Sequence, residues 1–193
     1  ARAGNFAESI ARADARIRCA RRDYSGCLAG LRNLARRRLP LSDAEQLLSV
    51  DALTETGQGE RAQRLLEQLL SQPEPSPLAV LEFARRHGRA EPKRAEALLL
   101  AAEKKSAGDP LLLRALAQLW RSTGRNREAI EHLNRSIGAG ASNAAVLLLR
   151  AELLAEQGEL DRAETDALRA FEAAPGLSGA VDLLAEIYTR QSR

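Results

Sequence analysis

His87 and His132 each stand alone, with no cysteine or second histidine at the spacing a metal site needs. Cys19 and Cys27 are the only cysteines, and their separation matches no zinc pattern. They read as two thiols in a reducing compartment. A disulfide across the first helix pair stays open, because spacing alone does not give the Cβ geometry a bridge requires. Gly57-x-Gly59 and Gly138-x-Gly140 are helix-turn glycines rather than phosphate loops, since no strand precedes them and no Gly-Lys-Ser/Thr follows. Carboxylates are plentiful but spread over solvated helix faces, with no marked pair, and no Ser–His or Cys–His pairing can be argued. Asn134-Arg135-Ser136 has the form of a glycosylation acceptor, yet it falls inside an expected helix. The residues therefore imply no enzyme, no metal and no cofactor.

Charge says more. The 29 basic and 26 acidic residues give a net +3, unevenly spread: residues 1–40 carry ten arginines and three carboxylates, a net +7, which leaves −4 on the rest. Such asymmetry bears on partners rather than on fold. Arg32, Arg36, Arg37 and Arg38 cluster where a helix should end, a place that favours cations through the helix dipole. Two other readings stay open for this basic stretch. It suits a juxtamembrane, anionic-surface segment if the chain continues upstream into a membrane span. Nucleic acid is the weaker option, because aromatic residues make up only 3% and offer little base stacking. No apolar run approaches the roughly 18 residues of a membrane span, so membrane contact is expected only from this basic repeat or from segments outside the sequence. The chain lacks methionine and begins Ala1-Arg2, as an excised domain or processed product would. Lysine occurs only at Lys93, Lys104 and Lys105, an arginine bias of the kind a GC-rich bacterial genome gives.

These side chains ride on helices. Phe6, Ile10, Ala13, Ile17 and Ala20 are spaced 4-3-4-3 on one face of a first helix over 6–20. Arg21-Arg22-Asp23 turns the chain, a return helix runs over 24–38, and Pro40 ends the pair. A second pair begins near Ser42 or Asp43, either of which can cap it, turns at Gly57-Gln58-Gly59 and closes at Ser71. The alternating prolines Pro73, Pro75 and Pro77 stiffen the loop that follows. The third pair turns at Gly88–Glu91, expected one residue shorter than the other turns, and Pro92 opens its second helix. Two regular pairs and a lone last helix over 179–190 bring the total to eleven helices. On that last helix Leu183 and Ile187 lack an evident covering partner.

The pattern recurs about every 34 residues, the period of a helical solenoid. The eighth position of each unit reads Ala15, Val50, Ala84, Ala117, Ala151, Ala185, and the twentieth reads Cys27, Ala62, Ala95, Ala129, Ala163. Small residues there let two helices approach closely. In these columns the chain resembles the tetratricopeptide-repeat family over nearly its whole length, despite a larger Val50 and no turn glycine in the first repeat. The resemblance implies an all-α fold, a right-handed α–α superhelix of about five helix pairs plus a final helix. It would form one domain over 1–193, with repeats near 6–40, 41–75, 76–109, 110–143 and 144–177 and the final helix over 178–193.

The resemblance also implies a non-enzymatic protein-interaction scaffold whose first helices line a concave groove. Its groove positions fall here on Arg12, Arg16, Leu47, Asp51, Leu81, Arg85, Arg114, Gln118, Arg121, Leu148 and Glu152. A leucine stripe flanked by arginines would suit an amphipathic, acidic protein or peptide segment, because arginine pairs carboxylates in bidentate fashion. The family's chaperone-binding members use a Lys/Asn clamp, and the matching positions here are Arg12 and Arg16, which disfavours that role. The expected setting is cytoplasmic, tethered to a membrane if missing sequence supplies an anchor, with the periplasm left open. A bacterial envelope assembly such as exopolysaccharide export or secretion is the expected context. Self-assembly through the terminal helix is a further alternative.

Overall fold

The computed structural model describes the backbone of residues 2–192 and the side chains of residues 6–192. Among them all regular structure is helical: α1 Arg2–Ala20, α2 Tyr24–Arg36, α3 Asp43–Glu55, α4 Gly59–Leu70, α5 Pro77–His87, α6 Pro92–Lys105, α7 Pro110–Ser122, α8 Asn126–Gly138, α9 Ala144–Glu156, α10 Leu160–Ala173 and α11 Ser178–Arg190. The helices form two compact units divided within α5, one ending at Phe83 and one beginning at Ala84. In the first unit α1 pairs with α2 and α3 with α4, and α3 packs on both members of the first hairpin. In the second, α7–α8 and α9–α10 are successive hairpins, and the leading helices α7, α9 and α11 contact one another in series. Each unit is thus an α–α solenoid segment. No helix among the described residues is long and apolar enough to cross a membrane.

Local chemistry explains the element boundaries. Ser42 caps α3 by accepting from the Glu45 amide while the Glu45 carboxylate accepts from the Ser42 amide, a reciprocal capping box. Asp109 and Asn143 cap α7 and α9 in the same side-chain-to-amide manner. Pro92 and Pro110 open α6 and α7, where a missing N–H costs nothing. After α3, α7 and α9 the chain turns through Gly57, Gly124 and Gly158 at positive φ. After α1 the matching left-handed position is held instead by Arg22 (φ 62), and after α2 by Arg38 (φ 59), where the turns after α6 and α8 use Gly108 and Gly140. The third repeat is one residue shorter overall, because its leading helix loses two residues and its turn gains one. Its leading helix α5 has 11 residues where α3, α7 and α9 have 13, while its turn over 88–91 is one residue longer than that over 56–58.

The small-residue columns form the helix contacts. All five twentieth-position residues are buried, as are Ala15, Val50, Ala117 and Ala151 at the eighth. A Cβ added at Gly30 would lie 3.0 Å from the Ala15 Cβ, so α1 and α2 could approach no closer with a larger residue there. Ala84 is half-buried, and Ala185 is exposed because no trailing helix covers α11 among the described residues.

Three expectations are corrected. The apolar face of α1 is not core: Phe6, Ile10, Ala13, Ile17 and Ala20 are all exposed, and α1 meets its neighbours through Ala15 and Cys19 instead. Leu183 and Ile187 are not left uncovered, because α11 packs on α9 and α10 and buries both. That removes the basis for self-assembly through the terminal helix. Cys19 and Cys27 are not thiols but a disulfide joining α1 to α2, with Cα atoms 5.0 Å apart.

Candidate functional site

The eleven groove positions all lie on leading helices, but they meet very different surroundings. In the first unit Arg12 is fully engaged. It donates from Nε to Glu8 Oε1 (2.9 Å), from Nη1 to Glu45 Oε2 (2.5 Å) and from Nη2 to the Pro40 carbonyl (2.9 Å). Arg16 donates to the other Glu45 oxygen at 3.0 Å. The Glu45 side chain is fully buried, so two cations and the Ser42 amide compensate a carboxylate removed from water. Burial pushes the Glu45 pKa up, but the Ser42 amide and the two guanidiniums outweigh it and hold the pKa below the usual carboxylate value. Arg12 and Arg16 therefore staple α1 to α3. Leu47, Asp51 and Leu81 are half-buried, and Asp51 is already engaged within the protein.

In the second unit Arg85 is exposed but engaged. Leu148 differs most from its expected place. It is buried to 3% exposure, and the α11 backbone passes so close that a Cβ on Gly179 would sit 3.1 Å from Leu148 Cδ2.

The remaining positions converge. Arg114, Gln118 and Arg121 of α7 and Leu149, Glu152 and Leu153 of α9 enclose a small cavity of about 70 Å³ on the leading-helix side of this unit. Arg121 donates to Glu156 of α9 at 2.8 Å, an exposed pair that holds one edge. Arg114, Gln118 and Glu152 make no side-chain hydrogen bond or ion pair among the described residues. Arg114 is half-buried and Gln118 exposed. A half-buried guanidinium without a protein partner, beside an exposed amide, is suited to a carboxylate or carbonyl brought from outside. Glu152 offers an acceptor for an adjacent N–H or cation.

Behind this face stands a polar network that the sequence did not signal. Trp120 Nε1 donates to Glu96 Oε1 (2.8 Å), and Arg125 Nη1 donates to Glu96 Oε2 (2.7 Å). The Arg125 guanidinium lies 5.8 Å from the Trp120 ring, and His132 meets the same ring edge-on at 5.3 Å. The bond from Arg125, against the opposing effect of burial, depresses the Glu96 pKa, whereas burial depresses that of His132. Trp120 is buried and ties α6, α7 and α8 together, so it acts as core. Among the described residues no three His, Cys, Asp or Glu side chains cluster as a metal site would require.

No protein-family model and no curated protein matches the sequence. Solved structures do. A thermophilic TPR protein of Thermus thermophilus aligns at 17% identity and TM-score 0.62, covering 94% of this chain and 99% of that one. A tetratricopeptide-repeat protein of Parabacteroides merdae aligns at 18% identity and TM-score 0.62, covering 93% and 70%. The chain has the tetratricopeptide-repeat fold. A shorter TPR match is the first TPR of Spaghetti (RPAP3) bound to an HSP90 peptide, at 16% identity and TM-score 0.50, covering 60% of this chain and 93% of that one.

Proposed function

We propose that this TPR chain is a binding scaffold rather than a catalyst, and that it holds an acidic peptide segment of a partner protein against the α7–α9 face. The carrying observation is the contrast between two sets of arginines on leading helices. Arg12 and Arg16 are spent on the buried Glu45, whereas Arg114 is half-buried with no protein partner and has Gln118 and Glu152 beside it. The peptide seen on the Spaghetti TPR supports the reading by analogy of fold. Peptide selection from a random dodecapeptide library tests it. Acidic segments should emerge, and Arg114→Glu with Gln118→Ala should weaken them by at least about tenfold, near 1.4 kcal/mol. Arg127→Glu on the trailing helix α8 should leave them unchanged. Selected peptides indifferent to Arg114 and Gln118 would overturn the assignment.

A further inference from the structure

Within the first unit, α2 and α4 each pack on α3 but not on one another. The space between them is an open trough that continues onto the loop joining α2 to α3. It holds two adjoining cavities of about 240 and 500 Å³. Ala35, Leu41 and Ser49 line both, so the two form one surface feature. Buried Leu28, Leu31 and Leu53 floor the first cavity, and half-buried Leu39 and Leu65 wall the second. The neutral polar side chains along the trough are already bonded: Ser49 Oγ donates to the Glu45 carbonyl and Gln46 Nε2 to the Leu41 carbonyl, each at 3.1 Å. The floor is therefore apolar in effect.

No carboxylate lines either cavity, whereas three exposed arginines do: Arg32 and Arg61 on the first, Arg38 on the second. Arg32 and Arg38 make no side-chain hydrogen bond or ion pair among the described residues, and Arg61 bonds the neutral Gln58 Oε1 at 2.7 Å. Arg38 stands there in left-handed backbone (φ 59), a conformation in which glycine would fit without strain. Cations without a carboxylate partner thus share one face with the leucine floor.

We infer that this trough is a second docking face, and that it takes an amphipathic acidic helix of a partner protein. The partner's apolar side chains lie on the leucine floor, and its carboxylates meet Arg32, Arg38 and Arg61. Charge complementarity selects the acidic partner, because guanidiniums pair carboxylates and nothing within the trough competes for them. Leu28 to Ala35 spans two turns of α2, about 10 Å, which matches side chains at i, i+4 and i+7 of an opposing helix. Both cavities are open to solvent, whereas small-molecule sites enclose most of their ligand. A second copy would set one arginine rim against another. Nucleic acid would account for the arginines but not for the leucine floor. The inference does not rest on the α7–α9 face, which belongs to the other unit.

The test is amide NMR titration of the whole chain with a stapled helical peptide that carries leucines at i, i+4 and i+7 and glutamates beside them. Saturable shifts should centre on Leu28, Ala35, Leu41 and Leu65. Lysines in place of the glutamates, or serines in place of the leucines, should each weaken binding by about tenfold or more. These peptide changes leave the protein itself unaltered. Arg32→Glu/Arg61→Glu should weaken the parent peptide by a similar factor, about tenfold. Arg21→Glu/Arg127→Glu, an equal charge change at exposed residues that line neither cavity, should not. Ala35→Gln, at an exposed helix position common to both cavities, should obstruct the trough and remove the shifts. No shifts, shifts confined to α7 and α9, or indifference to the leucines, the glutamates or the Arg32/Arg61 pair overturns the inference. So does dodecanoate moving these amides when the peptide does not, which assigns the trough to a small amphiphile. A concentration-dependent dimer that Ala35→Gln abolishes, without peptide binding, overturns it by assigning the trough to a second copy.

Discussion

Arg150 on α9 grips Asp166 on α10 with two parallel bonds, Nε at 2.6 Å and Nη2 at 2.7 Å, and donates from Nη1 to Asn134 on α8 at 2.8 Å. The Asp166 side chain is only 4% exposed and that of Arg150 15%, so solvent screening is slight and three helices behind the candidate face depend on one guanidinium. Asp166→Asn keeps the volume and removes the charge. Taking one partner from a buried ion pair costs about 3–5 kcal/mol. Arg150 keeps Asn134 and an amide acceptor, which puts this change near ~3 kcal/mol, at the low end of that range. For a chain of this size each kcal/mol lowers Tm by about 2–4 °C, so the melt should fall by roughly 6–12 °C. Far-UV circular dichroism would follow it. The double change Arg150→Met with Asp166→Leu should recover most of the loss, because an apolar pair leaves no buried charge unmet. A single-variant shift under about 2 °C, or a double variant no better than the single, would refute the reasoning.

Acid should unfold the protein in two stages. Burial lowers the folded pKa of His132, so its contribution is lost as pH falls from the unfolded value near ~6.5 toward the folded one. The lowered folded pKa values of Glu45 and Glu96 make theirs present above the unfolded value near ~4.3 and lost as pH falls through the folded value. Urea midpoints across pH should show both stages, with His132→Gln abolishing the first and Glu45→Gln shrinking the second. Arg38→Gly should raise stability by about 0.5–1 kcal/mol, because relief of the left-handed strain exceeds the extra unfolded-state entropy of glycine. A drop in the urea midpoint would contradict that. Reducing the disulfide, whose cysteines are 8 residues apart, should cost ~2.5 kcal/mol by loop entropy, read as a lower urea midpoint with dithiothreitol than without.

Local signals carried most of the architecture. The twentieth-position column, the Ser42 cap and Pro92 each reflect contacts within a turn or a hairpin, and each stands where its neighbours in sequence require. The misplaced residues are those whose surroundings arrive from far along the chain. Arg12 and Arg16 have the right positions for a groove, but Glu45, about one repeat later, takes both. Leu148 and Ile187 are buried by packing of α11 against α9 and α10, which no periodicity within a single helix reports. The apolar α1 stripe has the amphipathic spacing of a core face, yet no described residue packs on that side. The cysteine pair turned on Cβ geometry rather than on spacing. The candidate positions on leading helices were legible in the sequence; which arginine among them stays unengaged required the fold.

Photo-crosslinking tests the central claim most directly. A benzoylphenylalanine at Gln118, on the α7–α9 face, and one at Arg127, exposed on α8, would sample the two sides of the same hairpin in native extracts. The account predicts a discrete adduct from Gln118, suppressed when Arg114→Glu is added, and none from Arg127. Adducts from Arg127 alone, or Gln118 adducts indifferent to Arg114→Glu, would contradict it.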